Sequence, residues 1–172
     1  MVPCPEADSY VGAIRQRWDP SSARGLKAHI TLVHVSMPAA GLESGMIGQL
    51  QRVASAEVAF SFRVARIARF PGTLYLVVEP PEPFASLHEK LETALQRGKR
   101  DQAFVPHISI VRKSASDDRG VESELVAILA RHGPIACVCR EIELLENSTG
   151  MWRTVRTFAL TGDRDNPWRG PS

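Results

Sequence analysis

Two short stretches of this chain repeat one arrangement of chemically useful side chains. Ala28-His29-Ile30-Thr31-Leu32-Val33 and Pro106-His107-Ile108-Ser109-Ile110-Val111 each run histidine, hydrophobe, hydroxyl residue, hydrophobe, valine, and the histidines stand 78 residues apart. Both stretches are short, apolar and rich in β-branched residues, so each reads as a strand. Side chains two positions apart on a strand share a face. His29 therefore stands beside Thr31, and His107 beside Ser109. Ile30, Leu32, Ile108 and Ile110 point the other way, into a core. A single such tetrapeptide is commonplace, whereas one copy in each half of the chain is informative. If a pseudo-twofold relates the halves, two imidazoles and two hydroxyls meet around one substrate atom.

That set suits phosphodiester chemistry without a metal. A neutral imidazole takes a proton from the attacking water or hydroxyl, and a protonated one gives a proton to the leaving oxygen. Each role contributes about 10²- to 10⁴-fold, and an unperturbed pKa of about 6.5 suits imidazole to both. The hydroxyls donate hydrogen bonds to the non-bridging oxygens as charge develops there. Around this core, Arg112 and Arg153 are candidate phosphate contacts, with Arg156 near the second. Tyr75 and Trp152, with Phe70, are candidates for stacking a base. Arg112 has the wrong parity to share the face of Ser109 unless the strand twists or ends there. By the same parity His34 falls on the face opposite His29. His88 and His132 lie on predicted helices and read as residues of solvated faces.

The elements that must carry these residues follow from the hydrophobic pattern. Helical spacing over residues 6–18 puts Val11, Ile14 and Trp18 on one side, with Arg15 and Arg17 elsewhere. Asp19-Pro20-Ser21-Ser22 breaks that helix and leads to a strand over 28–35. A turn-rich connection over 37–45 precedes a short helix over 46–55. Residues 58–70 read as a strand pair or one long strand, Pro71-Gly72 as a turn, and 73–79 as a further strand. A helix over 84–97 buries Leu87, Leu91, Ala94 and Leu95, and Gly98 and Asp101 end it. Then come a strand over 105–113, a helix over 119–132 and strands over 136–146 and 152–161, joined by Asn147-Ser148-Thr149-Gly150. The hairpins predict antiparallel sheets and an α+β class.

Composition bounds the partners. The 172 residues, 44% hydrophobic and 23% charged, suit one ordinary globular domain spanning 1–172. A formal net charge of +2 provides no field for gripping a long duplex, but a compact site for an RNA terminus needs only local cations. Cys4, Cys137 and Cys139 lack the spacing of a metal cluster and read as reduced thiols, so no metal and no cofactor is expected. No apolar run reaches membrane-spanning length, no secretion signal precedes the first helix, and the expected location is the cytoplasm.

At the two motifs the chain resembles the 2H phosphoesterase superfamily, which includes the 2′-5′ RNA ligase-like proteins and the cyclic phosphodiesterases. Its signature is two H-x-T/S motifs, each followed by a hydrophobe, and both stand here as HITL and HISI. The lead-in from Arg15 to Ala28, the strand from Thr73 with its exit at Pro80, and MWRTVRTFAL near the end also look like bacterial members. The resemblance implies a bilobal α+β fold, two antiparallel sheets facing a central groove with helices outside. It implies His29 and His107 as the acid/base pair and Thr31 and Ser109 as phosphate ligands. It further implies a substrate among 2′,3′-cyclic phosphates of RNA ends, small cyclic nucleotides and 2′-5′ linkages. Reversible 2′-5′ ligation and a non-catalytic nucleotide- or RNA-binding module are the alternatives. One departure is the start: members usually open on a strand, and only Met1 to Pro5 precede the first helix here. A sheet edge left exposed by that loss would favour a dimer over the expected monomer.

Overall fold

The computed structural model describes residues 1–34, 44–97, 103–112 and 119–162. Within them the order is β1 (Val2–Pro3), α1 (Pro5–Trp18), α2 (Pro20–Ala23), β2 (His29–Ile30), α3 (Ser44–Ala56), β3 (Phe60–Phe70), β4 (Thr73–Glu79), α4 (Glu82–Ala94), β5 (His107–Arg112), α5 (Arg119–His132), β6 (Ile135–Cys139), β7 (Glu141–Glu146) and β8 (Arg153–Ala159). The expected α+β class holds. The expectations on residues 35–43, on Gly98 and Asp101, and on Lys113 lie outside the described residues.

Six strands form one sheet in the order β1-β2-β5-β4-β3-β6, and β7 pairs with β8 in a hairpin. All of these pairings are antiparallel. The two motif strands are direct neighbours, with Ile30 opposite Ile108. Antiparallel register therefore sets His29 across from Ser109, and Thr31 across from His107. The motifs meet side by side on one sheet rather than from two.

The short N-terminal segment supplies an edge strand after all: Val2 pairs with Ile30 and Pro3 with His29. Its outer edge is taken by β7, because Met1 and Glu143 exchange both backbone hydrogen bonds, each 2.8 Å. The single strand expected over 136–146 is broken at Arg140, whose carbonyl accepts from the Leu160 amide at 2.8 Å. The chain so bends from the β3 edge of the sheet round to the β1 edge, and the sheet nearly closes. The β1 edge is thus covered by β7.

Local chemistry explains the helices that matter to the site. α1 starts on Pro5, carries Glu6 and Asp8 in its first turn and Arg15 and Arg17 in its last, all favourable to the helix dipole. It buries Ala7, Val11, Ile14 and Arg15 and packs on β5 and β6. Asp19 then caps α2 by accepting from the Ser21 amide at 2.9 Å. In the core, Phe84 of α4 meets Phe60 and Phe62 edge-on, with centroids 4.9 and 5.0 Å apart. Cys4, Cys137 and Cys139 are buried and unpaired, and burial pushes the thiols of Cys137 and Cys139 up to about 12. No helix among the described residues is long and apolar enough to cross a membrane.

Candidate active site

β2 is only two residues long because the chain leaves the ladder after Ile30. Thr31 is consequently exposed, and the segment through His34 runs on along the site. His29, Thr31, His107 and Ser109 all line a single cavity of about 660 Å³, within the range of small-molecule sites. Leu50 of α3 with Leu91 and Leu95 around the end of α4 form one apolar wall, and Ile142, Leu144 and Leu145 of β7 with Phe158 and Trp152 form another. The hairpin thus roofs the polar floor laid down by β2 and β5.

The two histidines are held alike. His29 Nδ1 lies 2.8 Å from the Lys27 carbonyl, and His107 Nδ1 lies 2.7 Å from the Val105 carbonyl. A carbonyl only accepts, so Nδ1 carries the hydrogen in both rings. Nε2 is left as the lone-pair nitrogen of each neutral imidazole. Burial lowers the His29 pKa from 6.5 to about 4; the Lys27 carbonyl opposes the shift and the charge of Arg15 adds to it. Burial also lowers the His107 pKa, against the Val105 carbonyl and helped by the charge of Arg112. His107 is the more exposed of the two. Its ring packs against Tyr75 and Phe70, with centroids 5.0 and 5.1 Å away.

Arg112 is brought to the cavity although simple alternation excludes it. The pairing of β4 with β5 slips by one residue, from Leu74 opposite Val111 to Tyr75 opposite Ser109. The extra residue is a β-bulge, so Ile110 and Val111 are both buried and Arg112 returns to the face of Ser109. Trp152 lines the cavity, and its buried indole N–H has no hydrogen-bond partner among the described residues. Tyr75 is not among the described residues of the cavity wall: it is buried and stacked on Phe70 at 4.2 Å. Arg153 is likewise outside that wall and is paired with Glu146. Glu146, which lines the cavity, is held down to about 2 by Ser148 and Arg153.

Three further residues fall outside the expectations from sequence. His34 lines the cavity, because the β alternation that would turn it away ends at Ile30. His88 is half-buried rather than solvated: its Nδ1 lies 2.8 Å from the Leu32 carbonyl and its ring stacks on Phe104 at 4.2 Å. Arg15 is fully buried, with Nε donating to the Ser109 carbonyl at 2.9 Å, Nη1 to the Leu26 carbonyl at 3.1 Å and Nη2 to Asp19 at 2.8 Å. Its signal was available, since Val11 and Arg15 are four apart and so share a helix face. Among the described residues no group of His, Cys, Asp and Glu is arranged to hold a metal ion.

The model of the 2′-5′ RNA ligase superfamily matches residues 2–150. A protein of Geobacillus thermodenitrificans named "Putative phosphoesterase" is 31% identical over 165 residues, covering 94% of each chain. A Bacillus licheniformis protein of the same description is 24% identical over 167 residues, covering 93% of this chain and 95% of that one. Among solved structures, E. coli LigT complexed with 3′-AMP aligns at a TM-score of 0.60 and 16% identity over 93% of this chain and 95% of that one. TT0787 of Thermus thermophilus aligns at 0.56 and 21% identity, covering 80% of each. Both likenesses are of fold.

Proposed function

The chain belongs to the 2′-5′ RNA ligase superfamily, and from that premise we propose that it is a metal-independent phosphodiesterase opening 2′,3′-cyclic phosphates of nucleotides or RNA ends. The observation that carries this reading is the pair of imidazoles on adjacent strands, each pinned through Nδ1 to the carbonyl two residues back. Both line one cavity together with the hydroxyl residues Thr31 and Ser109. The relatives named as phosphoesterases, and the LigT structure with 3′-AMP, support the same class of substrate.

His29, buried and neutral at physiological pH, is the base. Its Nε2 takes a proton from water as the water oxygen bonds to phosphorus. His107, the more exposed ring, takes up a proton as the phosphate anion enters beside it. As the bond from phosphorus to the 2′ or 3′ oxygen breaks, His107 gives that proton to the departing oxygen. One water is consumed and a phosphomonoester results. Thr31 and Ser109 donate to the non-bridging oxygens, and Arg112 offsets their charge. A cavity of about 660 Å³ takes a mononucleotide or the last residue of a strand.

The test is a screen of 2′,3′-cyclic mononucleotides with the product identified as a 2′- or 3′-phosphate. Turnover should survive EDTA, and His29→Ala and His107→Ala should each lose about 10²- to 10⁴-fold in kcat. Absence of turnover by folded protein, or loss of turnover on chelation, overturns the reading. Joining of RNA halves bearing a cyclic phosphate and a 5′-hydroxyl, without hydrolysis, would assign the reverse reaction instead.

A further inference from the structure

The ladder joining the motif strands is short: a single residue pair, Ile30 with Ile108, registers between β2 and β5. One hydrogen-bonded rung does not by itself fix the relative position of two catalytic segments. The Arg15 side chain ties the second to the lead-in of the first. Its Nε donates at 2.9 Å to the carbonyl of Ser109, a member of the second motif. Its Nη1 donates at 3.1 Å to the carbonyl of Leu26, next to Lys27, whose own carbonyl holds His29. Nη2 is anchored at 2.8 Å on Asp19, and the Asp8 carboxylate lies 3.8 Å from Nη1. Asp8 also accepts the Ala28 amide at 2.8 Å, and Asp19 the Ser21 amide at 2.9 Å.

We propose that Arg15 is a positioning residue for the phosphoryl chemistry, a clamp fixing the spacing of the two His-x-Thr/Ser motifs by holding the backbone of the second and of the segment that leads into the first. The proposal rests on the function above but concerns a residue that does not line the cavity. A guanidinium suits the task because its rigid fork serves three acceptors in fixed directions, where an ammonium on a flexible stem serves them poorly. Asp19 and Asp8 orient the fork. The side chain is wholly buried, so no water competes for the two carbonyls. Loosening the clamp removes no phosphate ligand but shifts the histidine and hydroxyl of one motif relative to those of the other. A shift of about 1 Å costs roughly 10²-fold in rate, with less effect on ground-state binding.

The experiment compares Arg15→Lys with Arg17→Lys, a change at an exposed residue of the same helix paired with Glu124. The Arg15 variant should lose tenfold or more in kcat with KM within twofold, and the carbonyl ¹³C resonances of Ser109 and Leu26 should move. The Arg17 variant should match the parent. A folded Arg15→Lys protein with parental kcat, or with those carbonyl resonances unmoved, overturns the clamp. If that variant does not fold, the parent protein decides: its Arg15 Nε–H should exchange slowly with solvent, and fast exchange overturns the proposal. The resonance and exchange measurements need no turnover. They separate failure of the clamp from failure of the proposed activity.

Discussion

Acidification should destabilise this fold through His29 in particular. His29 is 9% exposed, and burial brings its pKa from 6.5 to about 4. The unfolded chain therefore takes up the proton first as pH falls. Stability is complete above pH 6.5, declines below it, and is lost progressively down through the folded value near 4. Between pH 7 and pH 4 the loss from this one residue is about 3 kcal/mol, a large share of a typical domain's stability. Carboxylates titrate over part of the same range, so the contribution is read as a difference. Urea unfolding at pH 7 and pH 4 should be measured for the parent and for His29→Gln, which keeps a donor near the Lys27 carbonyl but cannot ionise. The parent should lose about 3 kcal/mol more than the variant across that interval. Equal losses would refute the reasoning, and with it the neutral, buried imidazole on which the base assignment rests.

The remaining expectations concern the phosphate end of the cavity and the core beneath it. Arg112→Ala should raise KM about tenfold, since an exposed charge-assisted contact lies at the low end near 1.5 kcal/mol, and should flatten the rise of KM with ionic strength. Steady-state kinetics over a salt series would show it. Phe84→Ala removes a fully buried ring that meets both Phe60 and Phe62 and should cost about 3 to 5 kcal/mol in urea unfolding.

The dyads were legible because their chemistry sits in contiguous tetrapeptides whose alternation is readable without tertiary knowledge. Arg112 was a candidate despite its parity, and it reaches the cavity for a physical reason: a bulge adds one residue without interrupting the apolar run Ile110-Val111. The same rule of alternation turned His34 away from a cavity it lines, because the strand stops at Ile30 and pattern alone does not say where a strand stops. Arg15 was read as lying off the apolar side of its helix, although its spacing of four from Val11 puts it on the buried side. Its burial depends on Asp19, Asp8 and two backbone carbonyls, partners that only the fold assembles. The closing of the sheet through Arg140 was not legible, since residues 136–146 carry an unbroken β pattern across the bend.

Two motifs related by a local twofold cannot by themselves assign an acid and a base. Each histidine is followed by an isoleucine and a hydroxyl residue, and each has the same Nδ1 bond to the carbonyl two residues back. Any difference in role must come from what surrounds the pair. On the β2 side that is β1 at the strand edge and the Arg15 charge, which keep His29 buried and neutral. On the β5 side it is the Phe70–Tyr75 stack and Arg112, beside a ring that stays more open. The first contact of each Nδ1 is a neutral carbonyl, so that bond does not distinguish the two rings. The pseudo-symmetric sheet supplies two interchangeable groups, and the unsymmetrical packing around it gives each a different proton affinity.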